Sequence, residues 1–188
     1  MKKSIVRIGT WLGIFFILLP SLSNAEEYPP PPSLTLASPT LEVNFPVQRS
    51  LVQFFYIPQV DGEEPNVEVF LSYRTAGEVQ TSHLETLQPE GRAAEIATVF
   101  TLDADGDRER ELFMVVKWPI SHVGVRTEGG YYKVYVYRRA SSRDGGRMFA
   151  RAYDIERQFG SGFDGTQEGQ TVSFPYKDFQ SIRAAISR

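Results

Sequence analysis

The run from Glu111 to Trp118 constrains the fold more than any other part of the chain, because it is apolar on both faces of an extended strand. Successive side chains of a strand point to opposite faces. One face carries Leu112, Met114, Val116 and Trp118, and the other carries Phe113 and Val115. A strand with two apolar faces is covered on both sides. The run therefore predicts a central strand with a packed layer on each face.

The chain around this run has the period-two pattern of antiparallel strands. Short segments rich in β-branched and aromatic residues alternate with Gly, Pro and Asp-Gly signals. The segments are Leu51–Ile57, Val67–Tyr73, Ala94–Leu102, Glu111–Trp118, Tyr131–Arg138 and Met148–Tyr153, and Leu34–Leu41 is a candidate for one more. Asp61-Gly62 predicts a hairpin between the first two of the six, and Asp144-Gly145-Gly146 predicts one between the last two.

Two short segments carry helical signals. Ser82-x-x-Glu85 resembles a capping box and predicts a short turn that ends at Pro89. Near the end of the chain, Pro175 suits a first helical position. The apolar face of that helix would consist of Phe179, Ile182 and Ile186. We therefore predict a mainly β fold of antiparallel sheets, sandwich-like or partly propeller-like, with a C-terminal α-helix packed on the sheet.

The first 25 residues have the layout of a secretory signal peptide. A basic start is followed by the apolar run Trp11–Leu19 and by the small residues Ser23-Asn24-Ala25. We expect cleavage after Ala25 and a periplasmic or secreted location. The apolar run is shorter than the roughly 20 residues that a membrane span needs, so no span is expected after cleavage.

The composition of the exported chain limits its domain organisation, its possible metal and catalytic sites and its partners. Residues 26–40, which include the proline run Pro29–Pro32, are predicted to be a leader, and residues 41–188 a single β-rich domain. The chain has no cysteine, which excludes disulfides, a thiolate nucleophile and zinc–thiolate sites. Removal of the signal peptide takes away three positive charges and moves the formal net charge from −3 to −6. Nucleic acid is therefore not an expected partner.

An acidic loop lies between two of the predicted strands. Asp103, Asp105 and Asp107 alternate along it, Gly106 permits a sharp bend, and Glu111 opens the following strand. Calcium takes six to eight oxygen ligands, which alternate carboxylates of a tight loop can supply. The backbone carbonyl of Glu109 would complete the set. The spacing predicts a structural calcium site, and a solvated acidic turn is the alternative.

The loop resembles the calcium loops of FG-GAP/VCBS-type repeats. In those repeats a strand enters Asp-x-Asp-Gly-Asp and Glu-Leu opens the next, as Phe100–Asp103 and Glu111–Val116 do here. Tyr132–Tyr137 is similar to the following strand. The resemblance implies calcium ligation by the side chains of Asp103, Asp105, Asp107 and Glu111. The chain departs from the pattern where Arg108 replaces a common glycine, and it holds one copy of the unit.

A second candidate surface is the hairpin between residues 131 and 153. One face of its first strand carries Tyr131, Lys133, Tyr135 and Tyr137, and the turn region carries Arg138, Arg139, Arg143 and Arg147. Tyrosine and arginine are frequent anchors of protein interfaces, so these eight residues are predicted to bind a partner. The alternative is that the tyrosines pack under the C-terminal helix while the arginines face water or pair with the acid-rich remainder of the chain.

Signals for catalysis are weak. The only histidines are His83 and His122, and no nucleophile elbow, phosphate loop or zinc pair is present. We expect a non-enzymatic, exported calcium-loop β domain that acts as a protein-binding module of the bacterial envelope. A glycan-binding module that uses the face of Tyr131, Tyr135 and Tyr137 is the first alternative. A calcium-stabilised hydrolase is the second. The oligomeric state is left open.

Overall fold

Ten strands in two antiparallel sheets make up most of the described part of the chain. The computed structural model describes residues 34–59, 62–140 and 148–187. The predicted signal peptide and the proline run Pro29–Pro32 lie outside these residues. Among the described residues, no helix has the length and apolar character that crossing a bilayer requires.

The first sheet has the strand order β1-β2-β3-β4. Its strands are β1 (Thr35–Val43), β2 (Ser50–Ile57), β3 (Asn66–Thr75) and β4 (Glu78–Leu87). Strand β1 includes residues 35–40, which are predicted to belong to the leader, and it agrees with the candidate strand over Leu34–Leu41. Strands β2 and β3 pair as antiparallel neighbours, as the predicted hairpin requires. Asp61 of that hairpin lies outside the described residues.

The second sheet has the order β10-β9-β7-β6-β5, with β8 paired to β7. Its strands are β5 (Glu95–Leu102), β6 (Glu111–His122), β7 (Thr127–Arg139), β8 (Phe149–Arg151), β9 (Ser161–Gln167) and β10 (Gln170–Val172). The β6–β7 pair is the longest, and its connection contains a 3-10 turn at Val123–Val125. Strands β7 and β8 pair as predicted, although residues 141–147 between them lie outside the described part of the chain.

Strand β6 is covered on both faces, which confirms the first prediction. Leu112, Met114, Val116 and Trp118 belong to the core between the two sheets. Phe113 and Val115 belong to a second core on the other face of the second sheet. The first core also contains Phe45, Phe54, Val69, Leu71, Leu87 and Phe149. The two sheets therefore form a sandwich around a largely aromatic and β-branched interior.

Two short helices lie on the second core, α1 (Tyr153–Glu156) and α2 (Phe179–Ile186). The ring of Phe179 contacts Phe100 edge to face, with 5.1 Å between the ring centroids, and Ile182 is fully buried. The predicted C-terminal helix is therefore confirmed. It begins later than Pro175, because Asp178 caps it: its side chain accepts the backbone N–H of Ser181 at 2.9 Å.

The predicted helical turn after Ser82 is wrong. Residues 82–85 lie within β4, which pairs with β3 from Glu78 to Leu87 with one register shift. A Ser-x-x-Glu sequence satisfies a capping box only where the chain is free to turn. Here the pairing of Leu71 with Ser82 and of Val69 with Glu85 commits the segment to the sheet.

Candidate metal centre

The acidic loop joins β5 to β6 at one end of the second sheet. The two strands pair up to Leu102 and Glu111, so these residues close the base of the loop. Eight residues, 103–110, connect them. Because β6 runs through both cores, the first residue of β6 is held firmly, and the loop is built on a rigid base.

Three of the predicted ligands come together in this loop. Asp103, Asp105 and Glu111 each offer one carboxylate oxygen, and these oxygens lie within 4.8 Å of one another. Asp105 is exposed, Asp103 is half-buried and Glu111 is only 2% exposed. Such a cluster has the oxygen chemistry and the spacing to hold a metal ion.

Hydrogen bonds from the backbone shape the loop around Asp103. The Oδ1 atom of Asp103 accepts the N–H of Gly106 at 2.8 Å, and its Oδ2 atom accepts the N–H of Arg108 at 3.1 Å. Gly106 and Arg108 both have left-handed backbones, with φ of 80° and 73°. That conformation costs a residue other than glycine about 1 kcal/mol or more. The loop therefore holds Arg108 in a conformation that its side chain disfavours.

Glu111 is the buried member of the cluster. One oxygen of its carboxylate accepts the N–H of Ala104 at 2.8 Å. Burial raises the pKa of Glu111, and the negative charges of Asp105 and Asp107 add to that rise. No basic side chain among the described residues forms a salt bridge with it. Within the described part of the chain, its carboxylate is thus not paired with a positive charge.

The side chains of Asp107 and Glu109 are not part of the three-residue cluster. Asp107 instead accepts the backbone N–H of Glu109 at 2.7 Å, in a turn of its own. Glu109 is exposed. Of the five residues predicted as metal-binding, the structure brings three together.

The predicted tyrosine face lies in the interior. Tyr135 and Tyr137 are 6% and 2% exposed and pack in the core between the sheets. The prediction that they form an exposed partner-binding face is therefore wrong. The alternative, packing under the C-terminal helix, is also wrong, because that helix covers the opposite face of the sheet. Tyr131 and Lys133, on the same face of β7, are half-buried.

The predicted arginines have separate surroundings. Arg138 forms an exposed pair with Asp154 at 3.1 Å, and Arg139 donates to the backbone oxygen of Pro46 at 2.6 Å. Arg143 and Arg147 lie outside the described residues. The described residues of the hairpin therefore do not present one continuous surface of tyrosine and arginine.

Arg151, on the returning strand β8, is the centre of a buried polar network. Its guanidinium donates to Glu156 and, at 2.6 Å, to Glu85, and it lies 4.4 Å from the ring centroid of Tyr135. The hydroxyl of Tyr137 donates to the same Glu85 at 3.2 Å. Burial raises the pKa of Tyr135 and of Tyr137, so both are neutral at physiological pH. Because its members satisfy one another, this network is structural.

Neither a protein-family model, nor a curated protein, nor a solved structure matches this chain. The resemblance of the loop to FG-GAP/VCBS-type repeats stays a prediction from its residues.

Proposed function

We propose that this protein is an exported β-sandwich binding module of the bacterial envelope whose 103–111 loop holds a structural calcium ion. The convergence of Asp103, Asp105 and Glu111 carries the proposal. Their ligand atoms are all carboxylate oxygens, which suit a hard cation such as calcium and not a metal that prefers nitrogen or sulfur.

The charge of the loop supports an ion at this position. Three carboxylates within 4.8 Å of one another repel, and burial of Glu111 removes the water that would screen the repulsion. A divalent cation removes this conflict. Calcium takes six to eight oxygens, so backbone carbonyls, water and the nearby carboxylate of Asp107 can supply the remaining ligands.

The expected role of the ion is mechanical. It would tie the exposed tip of the loop to Glu111, the first residue of the most buried strand, and so stiffen the β5–β6 hairpin. An ion that binds only the folded state stabilises it by mass action, by about 2.7 kcal/mol when calcium is present at a hundred times its dissociation constant.

The test is the melting temperature of residues 26–188 in excess calcium and in chelator. We expect calcium to raise it by several degrees. Asp105→Asn, which removes one ligand charge, should abolish the rise. Glu109→Gln, which removes the same charge from the same loop outside the cluster, should keep it. A melting temperature that calcium leaves unchanged, or an equal response of the two variants, would reject the metal site.

We further propose that the module acts by binding and not by catalysis. His83, one of the two histidines of the chain, contacts Glu68 and Thr86 on the open face of the first sheet. The hydroxyl of Thr86 lies 3.4 Å from the imidazole but donates to Glu68 at 2.8 Å, so its proton is directed to the carboxylate and not to the histidine. A protein partner is the first expectation. It would be captured from an envelope extract by the wild type and by Glu109→Gln, and more weakly by Asp105→Asn if the ion shapes the binding surface.

Glycan binding is the second candidate. Because the tyrosines are buried, the proposed binding site is the outer face of the first sheet. Phe55, Phe70 and His83 form a ladder there, with ring centroids 6.0 and 5.3 Å apart. Half-buried aromatic rings beside polar groups suit the apolar faces and the hydroxyl groups of sugars. The test is binding to a glycan array. Loss of binding in Phe70→Ala, together with normal binding in Val79→Ala at the exposed end of β4, would favour this candidate.

A further inference from the structure

A surface cavity of about 260 Å³ lies beside the acidic loop. Its lining comes from three parts of the chain: the turn after β1, the end of the acidic loop and the end of β7. The residues are Asn44, Phe45, Pro46, Arg108, Glu109, Arg110 and Arg139. The cavity is distinct from the metal cluster, with which it shares no side chain.

The charge of the cavity is opposite to that of the protein. Three arginines against Glu109 leave two positive charges in excess, in a chain whose formal net charge is negative. Among the described residues, none of the three arginines forms a salt bridge. They are also exposed, so their charges face the solvent.

Arg139 and Arg110 each contact a neighbouring residue without using all of their donors. Arg139 donates one N–H to the backbone oxygen of Pro46, next to Phe45, which is buried against Phe149. Arg110 makes a long contact of 3.4 Å with Thr101. A guanidinium has five N–H donors in a planar fork, so both retain donors that face the cavity.

Arg108 is the most informative of the three. It occupies a left-handed backbone position, with φ of 73°, where glycine would be free of strain. Strained positions of this kind concentrate at binding sites, where the side chain has a use that outweighs its cost. Here the strained residue contributes a guanidinium to the cavity.

We propose that this cavity binds a carboxylate of an acidic peptide segment presented by a partner. Guanidinium groups match a carboxylate with paired hydrogen bonds, and two or three of them around one cavity supply both charge and direction. A carboxylate carries a single charge, so Glu109 in the cavity lining repels it less than it repels a phosphate, which carries nearly two. The inference deepens the proposed binding role by naming the chemistry of the partner, and it does not require the calcium ion.

The experiment measures the affinity of residues 26–188 for a fluorescent hexaglutamate peptide at low salt, in excess calcium and again in chelator. We expect the double variant Arg110→Gln/Arg139→Gln to lose about tenfold in affinity or more. Arg92→Gln removes an exposed charge at the β4–β5 connection and should leave the affinity within twofold. Glu109→Gln should increase it. Equal losses in Arg92→Gln and the double variant would overturn the proposal, and so would inorganic phosphate that competes as well as free glutamate does.

Arg108→Gly separates binding from folding. Glycine relieves the left-handed position, so the melting temperature should stay unchanged or rise while the affinity for the peptide falls severalfold. A variant that melts earlier and binds as well as the wild type would contradict the role given to Arg108. Failure of the metal site would appear as a melting temperature that calcium does not change, whereas failure of the cavity would appear as arginine variants that bind normally.

Discussion

Arg151 joins three parts of the molecule through one guanidinium group. It lies on β8, its partner Glu85 lies on β4 of the other sheet, and Glu156 lies on α1. Glu156 also accepts the backbone N–H of Val136 at 2.9 Å. The side chains of the three ionised residues are between 10% and 25% exposed, so their charges depend mainly on one another for compensation.

Replacement of Arg151 by leucine should therefore be costly. It leaves two largely buried carboxylates without a counter-charge, and we expect the free energy of unfolding to fall by about 3–5 kcal/mol. Arg138→Leu is the matched control, because it breaks an exposed pair with Asp154 and should cost about 1 kcal/mol or less. Urea denaturation at pH 7 measures both. Equal losses in the two variants would show that Arg151 contributes no more than a surface charge.

Asp164 on β9 predicts a pH dependence of stability. Its Oδ1 atom accepts from Lys177 at 2.6 Å, from Ser173 at 3.0 Å and from the backbone N–H of Phe174 at 3.2 Å. The hydrogen bond from Lys177, helped by those from Ser173 and Phe174, lowers the pKa of Asp164 below its ordinary value. A carboxyl group whose pKa is lower in the folded state stabilises the fold above its unfolded pKa of about 4. That stabilisation is lost as the pH falls through the folded pKa.

Asp164→Asn should accordingly reduce stability at pH 7, while the wild type and the variant should converge at acid pH, once the wild-type carboxyl is protonated. The urea midpoints of the two proteins, measured from pH 7 down to pH 2.5, provide the test. A difference that stays constant over this range would mean that the substitution acts through packing and not through the charge of Asp164.

Among the strands and helices, predictions succeeded where the local sequence pattern was strong. Strand β6 was predicted because apolar residues on both faces leave few alternatives. The apolar spacing predicts the C-terminal helix but not its start at Phe179, after the cap at Asp178, because Pro175 is an equally acceptable local signal. Strand β9 gave no signal at all, because Ser161–Gln167 is rich in glycine and polar residues.

The reason for those glycines lies in the pairing of β9 with β7. Gly129 faces Gly165 across the two strands. A Cβ atom on Gly129 would come within 2.2 Å of the backbone oxygen of Asp164, and one on Gly165 within 2.4 Å of that of Glu128. Two backbones that approach this closely require glycine, and only the three-dimensional pairing reveals the requirement.

Gly129→Ala should therefore separate β9 from β7 at this point. We expect a loss of stability of several kcal/mol, or a failure to fold, because the clash involves backbone atoms that have little freedom to move. Gly124→Ala is the control, since a Cβ atom there meets nothing within 4 Å. The test is the melting temperature of both variants. Comparable melting temperatures would contradict the close approach of the β7 and β9 backbones.

For the whole molecule, the candidate site was about as predictable as the fold. The loop and the residues Asp103, Asp105 and Glu111 follow from spacing along the chain, because neighbours in a tight loop are neighbours in space. The burial of Tyr135 and Tyr137 does not follow from the sequence. The alternation of side chains along a strand shows which residues share a face, but not which face packs against the other sheet. The cavity of Arg108, Arg110 and Arg139 joins distant segments, and no local pattern predicts it.

The two cores share strand β6, so the molecule should unfold as one unit. Trp118 reports on the core between the sheets: its indole N–H donates to the backbone oxygen of Gln88 at 2.8 Å, and it is 3% exposed. The only other tryptophan, Trp11, lies in the predicted signal peptide, so Trp118 alone gives the fluorescence of residues 26–188. Ile182, on α2, belongs to the other core.

Ile182→Ala tests this coupling from the far side of the sheet. Truncation of a buried isoleucine costs about 2–5 kcal/mol. If the cores unfold together, the urea midpoint of Trp118 fluorescence should fall by the same amount as the midpoint of the far-ultraviolet circular dichroism signal, although Trp118 does not contact the mutated core. A fluorescence midpoint that stays in place while the dichroism midpoint falls would show that the helical layer detaches on its own and that β6 keeps the sandwich folded without it.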